Sequence, residues 1–222
     1  MPRATFFNLP AAKRARIVEL AIEEFSAHPF REASLSRLVA RAGIAKGSLY
    51  QYFDNKLDLY RWLLVEEVGR RKMTFLAARR PPAGAGFFGE IAAMIRAGIE
   101  FFVAEPRLGR LAASLLEPTA DPDLREMSAE IRRLGNAHVA ALLRGAQERG
   151  EVRADLDVEV AAPLVATILG QGITGVLVDT LGVDLAGLLA EPERARGLGE
   201  AERERMIAAA VEFVRSGVGP RA

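Results

Sequence analysis

Apolar positions recur at helical spacing along most of the chain, and period-two alternation is scarce. In RIVELAIEEF, residues Ile17, Leu20, Ala21 and Phe25 lie at i, i+3, i+4 and i+8, one stripe of an amphipathic helix. That helix is predicted to begin near Asn8–Pro10, where proline suits a first turn, and to end at Pro29. Ser34 then caps a short second helix with Leu35, Leu38, Val39 and Ala42 inward. Gly43 breaks it, Ile44 plugs the turn, and the stretch AKGSLYQYF forms a third helix. Asp54 is the expected cap of a fourth helix over 55–79, which the run PPAGAG terminates. Further helices are expected over 87–105, 108–116, 121–149, 157–181 and 200–215, with Pro106, Pro118 and Gly150 as stops. Residues 182–199, rich in Gly and Pro, read as an irregular connection. The pattern predicts an all-α fold.

The two short helices joined at AGIA match a helix-turn-helix. On a helical wheel with Leu49 inward, Ala45 and Phe53 share the inner face, and Gly47 and Gln51 point outward. Lys46 and Tyr50 share one flank; Ser48 and Tyr52 share the other. An exposed helical glycine costs about 1 kcal/mol relative to alanine. That cost makes sense where another backbone must come close. Lysine, serine, glutamine and tyrosine can all bond phosphates or base edges.

Composition sharpens this. Net charge is only +1, yet residues 1–56 carry nine Lys/Arg against five Asp/Glu, and the remainder is slightly acidic. A basic head on an acidic body suits contact with a polyanion. The absence of cysteine excludes disulfides and thiolate metal sites, and fits a cytoplasmic location. With two histidines, His28 and His138, no multi-histidine metal site is expected, and no metal or cofactor is assigned. No signal-peptide pattern is evident at the start. The uncharged run 160–178 is near the membrane-spanning minimum. Pro163, Gln171 and several glycines and threonines dilute it, and no aromatic or basic anchors flank it. It is expected to be a helix buried on most sides, within the fold or against a second subunit.

Taken together, RIVELAIEEF, SLSRLVARAGIAKGSLYQYF and NKLDL resemble the N-terminal DNA-binding domain of the TetR family of transcriptional regulators. The resemblance runs from Arg16 to Leu64 without a gap. It departs from the family at Pro29, where glycine is usual, at Ala33 in place of threonine, and at Ala45 in place of serine. It implies a helix-turn-helix DNA-binding domain over 1–56 and a helical ligand-binding and dimerisation domain over 57–222. Lys46, Gly47, Ser48 and Tyr50 would then lie nearest the base edges, with Ser36 able to reach a base and Ser34 beside it. Gln51, Tyr52 and Lys56 would hold phosphates, although the Tyr52 ring could instead pack while its hydroxyl reaches the backbone.

The resemblance further implies a repressor released from a palindromic operator by a small-molecule ligand. Pairing as a homodimer is expected through helices 157–181 and 200–215. Gly170, Gly172 and Gly175 would permit close helix contact there. Trp62, Met94, Phe101, Phe102, Leu115, Met127, His138 and Gln171 are the pocket candidates, mixing apolar area with a few polar groups. Glu117 and His138 could form an acid–base pair. Without a cysteine nucleophile, a phosphate-binding glycine loop or a metal cluster, however, the chain is not expected to be an enzyme. The rival to a regulator is a helical scaffold protein that has lost DNA binding.

Overall fold

The computed structural model describes all residues except 80, 82, 115–120, 192, 193, 195, 196, 221 and 222. Every regular element among the described residues is helical. In order they are α1 (Ala4–Phe7), α2 (Ala11–Ala27), α3 (Leu35–Ala42), α4 (Lys46–Tyr50) and α5 (Lys56–Trp62). A wide π-type segment, Leu63–Val68, leads into α6 (Gly69–Ala77). Then follow α7 (Gly86–Ala104), α8 (Pro106–Ala113), α9 (Pro122–Glu148) and α10 (Val158–Thr167). A second π-type segment, Ile168–Gly172, precedes α11 (Ile173–Leu181), α12 (Leu185–Ala190) and α13 (Glu200–Val218).

The helices pack into two units. The first comprises Met1–Met73 and Arg107–Ser128; the second comprises Thr74–Pro106 and Ala129–Ala222. Packing thus groups α5 and most of α8 with the first 56 residues. The core of the first unit includes Phe6, Leu20, Leu38, Leu49, Phe53 and Leu59, each no more than 1% exposed. Burial of each such side chain contributes about 1.5–3 kcal/mol. A buried carboxylate also ties this unit together. Glu67, on the first π-type segment, accepts from Arg70 and from Arg71, both at 2.7 Å, and Arg71 reaches on to Glu19 of α2. Burial pushes the Glu67 pKa up, but hydrogen bonds from the two arginines outweigh it and the net shift is downward.

The core of the second unit is built on one stripe of α7: Phe87, Ile91, Ile95 and Ile99. It meets Val139 and Leu143 of α9, Val165 and Leu177 of the uncharged run, and Met206 and Val214 of α13. Arg96 of α7 clamps Glu204 of α13 at 2.6 Å.

Several expectations shift. Asn55, not Asp54, caps the fourth helix: its side chain accepts the Asp58 N–H at 2.9 Å. Asp54 instead accepts from Arg3 at 2.5 Å. The segment expected to be irregular contains α12, capped by Asp184, whose carboxylate accepts the Gly187 N–H at 2.7 Å. Helix α1 has no counterpart among the expected elements. The expected stop at Pro118 lies outside the described residues. Helical residues 158–181 are long and apolar enough, by length and composition, to cross a membrane, with a mean hydropathy of 1.7 over an 18-residue window. Only 28% of that window is buried, so this chain does not itself enclose the run. Val160 and Leu164 stand 60% and 62% exposed.

The turn between α3 and α4 depends on Gly43, which is left-handed at φ 66 and ψ 32 and donates its N–H back to Ala40. A Cβ there would meet nothing within 4 Å, so alanine is penalised through the backbone alone. Gly43→Ala is expected to lower the unfolding free energy by about 1 kcal/mol. Urea denaturation should show a lower midpoint at an unchanged slope.

Candidate nucleic-acid interface

The start of α3 is posed by a buried carboxylate paired with a surface arginine. Glu24 of α2, 4% exposed, accepts the Ser34 N–H at 2.6 Å and the Arg37 guanidinium at 2.6 Å. Ser34 in turn caps α3 by accepting the Arg37 N–H at 3.3 Å, and Arg37 also donates to the Glu32 carbonyl at 3.1 Å. Burial pushes the Glu24 pKa up, but the hydrogen bonds from Arg37 and the Ser34 N–H prevail, and the net shift is downward. One carboxylate therefore fixes where α3 starts relative to α2.

Helix α4 covers only Lys46–Tyr50, and Leu49 is its buried contact. Ala45 is the N-cap, with extended backbone at φ −67 and ψ 145, and its side chain supplies no cap bond. It is exposed, which corrects its placement on an inner face: the residue precedes the helix, so helical spacing does not govern it. After α4 the chain dives inward. The Tyr52 ring is buried and lies 5.9 Å from Phe6. Phe53 lies 4.9 Å from Phe6, and Trp62 lies 5.2 Å from Phe6 and 5.7 Å from Phe53. Helix α1 thus plugs the back of the helix-turn-helix. Arg3 donates its N–H to the Tyr52 carbonyl at 2.8 Å, and the Thr5 hydroxyl donates to the Gln51 carbonyl. The phenylalanine pair in ATFFNLP was the available signal for this plug, but four residues are too few to display a helical period.

Of the candidate DNA-contacting side chains, Ser36, Lys46, Gly47, Tyr50 and Gln51 are exposed on or beside α3 and α4, and Ser48 is half-buried. Ser34 is occupied as a cap. Lys56 is also occupied. Its ammonium donates to the carbonyls of Arg31 and Ala33 at 3.2 and 3.1 Å and sits 4.7 Å above the Phe30 ring. In this arrangement Lys56 braces the loop that enters α3. The groups left outward present hydroxyl, amide and ammonium functions around a glycine whose added Cβ would meet nothing within 4 Å. Such a surface can approach a groove floor closely and bond to bases and phosphates.

The description "Bacterial regulatory proteins, tetR family" matches residues 17–62. Over 144 residues, 64% of this chain and 69% of the other, the protein is 31% identical to the HTH-type transcriptional repressor SCO4008 of Streptomyces coelicolor. The crystal structure of a TetR family transcriptional regulator from Chloroflexus aurantiacus aligns with a TM-score of 0.64 at 31% identity, over 100% of both chains. The chain belongs to the TetR family. As a TetR-family protein it is a helix-turn-helix transcriptional regulator. The fold is also shared with FadR from Bacillus subtilis in complex with stearoyl-CoA, at a TM-score of 0.65 and 20% identity over 91% of this chain and 98% of that one.

The candidate ligand residues divide between the two units. Trp62 and Met127 belong to the first unit, where Trp62 is part of the aromatic core behind α4. In the second unit Phe101 is buried, Met94 and Phe102 are half-buried, and His138 and Gln171 are exposed. Leu115 lies outside the described residues, as does Glu117.

Glu24→Gln is expected to destabilise the protein by about 1–3 kcal/mol, since it weakens charge-assisted bonds to a buried group. A carboxylate with a depressed folded-state pKa contributes fully above its ordinary value, about 4.3, and loses that contribution as pH falls through the folded value. Denaturation of both proteins against pH should show a gap that is constant near neutrality and closes below about pH 4.

Proposed function

We propose that this TetR-family regulator is a cytoplasmic homodimeric repressor that binds an inverted-repeat operator through α3 and α4 and is released by a small organic ligand. The observation that carries this reading is the outward set of Lys46, Gly47, Ser48 and Tyr50 on a rigid apolar base, with Leu49 and Phe53 each 1% exposed beneath it. Lys46, Ser48 and Tyr50 would contact base edges or nearby phosphates, Ser36 would reach from α3, and Gln51 would hold the backbone. With Lys56 engaged internally, its role would be to pose α3 rather than to neutralise a phosphate.

One such head is a small module, and pairing two of them about 34–36 Å apart gives readout of two half-sites. The apolar face that supports pairing is Val160, Leu164 and Val176 of the uncharged run and Phe213 of α13, which is 70% exposed. Exposed apolar side chains of this size on two helices are the kind of surface that self-association covers. Ligand release is supported by the family and by two fold neighbours solved with organic molecules: FadR with stearoyl-CoA, and SmeT in the SmeT–triclosan complex, with a TM-score of 0.66 at 22% identity. A ligand acts by binding one arrangement better than the other.

Gly47→Ala separates reading from folding. The substitution should leave stability unchanged or raise it by up to about 1 kcal/mol, because alanine is the better helix former. It should also weaken binding to a selected operator by at least about tenfold, because a methyl group blocks close approach. Tyr50→Ala should weaken operator binding more than binding to unrelated duplex. Equal affinity of both variants and the wild type for the operator would contradict the assignment. For the dimer, Leu164→Glu combined with Phe213→Glu should shift the sedimenting mass from two chains to one, with the helical circular-dichroism signal retained.

A further inference from the structure

The segment ahead of α2 lies outside the family match, which begins at residue 17. None of its side chains belongs to the contact set on α3 and α4. Its backbone is nonetheless tied to the end of the recognition helix. The Arg3 N–H donates to the Tyr52 carbonyl at 2.8 Å, and the Thr5 hydroxyl donates to the Gln51 carbonyl. Phe6 anchors the segment from within, fully buried and in ring contact with Tyr52, Phe53 and Trp62. Arg3 and Thr5 stay at the surface. Arg3 is therefore fixed at its backbone beside the last turn of α4, with its side chain outside. There the guanidinium donates twice to one oxygen: Nε and a terminal nitrogen reach Asp54 Oδ1 at 3.1 and 2.5 Å. Both partners are more than half exposed, at 55% and 59%. An ion pair so exposed is weak, because water screens it and side-chain freedom is lost in holding it. Two bonds on one oxygen also fall short of the fork across two oxygens in which guanidinium pairs most strongly.

A nucleic-acid phosphate offers that fork. Gln51, at the end of α4, is the residue set against the DNA backbone, and Arg3 is bonded to the residue that follows it. We infer that Arg3 is a phosphate-contacting residue of the operator interface: its guanidinium leaves Asp54 and takes two oxygens of a backbone phosphate flanking the half-site. The exchange trades a screened surface pair for a charge-assisted fork and returns the Asp54 carboxylate to water. Asp54 is thus the anion that competes with DNA for Arg3. A phosphate contact carries no sequence information, so Arg3 sets affinity and register and leaves the choice of bases to α4. The inference rests on the reading of α4 as the recognition helix.

The selected operator and an unrelated duplex of equal length are titrated with the intact protein across a salt series. Arg3→Gln should weaken both by at least about fivefold and lower the salt slope by about two units, one for each head. Arg3→Lys keeps the charge but not the fork, and should recover most of the slope and part of the affinity. Asp54→Asn should tighten both several-fold, and should gain less in an Arg3→Gln background, where no guanidinium is released. If the pair served only to hold the segment in place, Arg3→Gln and Asp54→Asn would both weaken binding. Thermal melts report that each variant is folded. The inference is overturned if Arg3→Gln leaves affinity and slope unchanged, if its loss is confined to the selected operator, or if Asp54→Asn weakens binding. An Arg3→Gln protein that binds like the wild type, beside a loss in Gly47→Ala, overturns this contact and leaves the reading of α4 in place. A wild type that selects no duplex overturns both.

Discussion

Helix α4, the proposed recognition helix, is only five residues long. An isolated helix needs about 12–15 residues to be even marginally stable in water. The recognition surface therefore has no independent shape. It is held by Leu49 beneath the helix and by Tyr52 and Phe53, which turn inward directly after it and pack with Phe6 and Trp62. This is why an apolar plug near the start of the chain and a tryptophan on α5 belong to the account of DNA binding, although both are buried behind the proposed contact surface. Glu24 plays the matching role for α3: one buried carboxylate collects the Ser34 N–H and the Arg37 guanidinium and so sets where that helix begins.

The same contacts change the meaning of the head's positive charge. Nine basic residues lie in the first 56, but many are already engaged. Arg3 pairs with Asp54, Arg37 with Glu24, Arg41 with Glu23, and Lys56 is spent on two loop carbonyls. Lys46 has no ion pair among the described residues and stands exposed on α4. Long-range attraction to a polyanion depends on the summed charge. Local contact depends on the groups not already bonded or free to exchange, and of these Lys46 stands beside Gly47.

Much of this was legible in the chain itself. The stripe Ile17, Leu20, Ala21 and Phe25, the Ser34 cap and the Gly43 break locate α2, α3 and the turn, because periodicity and capping act within a few residues. Three things were not legible, each for a physical reason. Helix α1 has one turn and no period. The choice of Asn55 over Asp54 as cap turns on Arg3, 51 residues away in sequence, which claims the aspartate. The family resemblance makes Lys56 a phosphate ligand, but the carbonyls of Arg31 and Ala33 accept its hydrogen bonds. Residue type does not distinguish a core aromatic such as Trp62 from one that lines a pocket; only tertiary packing sorts them. The uncharged run reads in the sequence as a helix buried within the fold or against a second subunit, and only packing shows how much of it its own chain leaves open.

The central claim is that two copies of a short, externally braced recognition helix read two half-sites of one operator. Selection of bound sequences from random duplex DNA by the purified protein tests it most directly. The account predicts enrichment of a single inverted repeat whose half-site centres lie about one helical turn apart. Failure to enrich any sequence, or enrichment of a lone, non-repeated element, would contradict it.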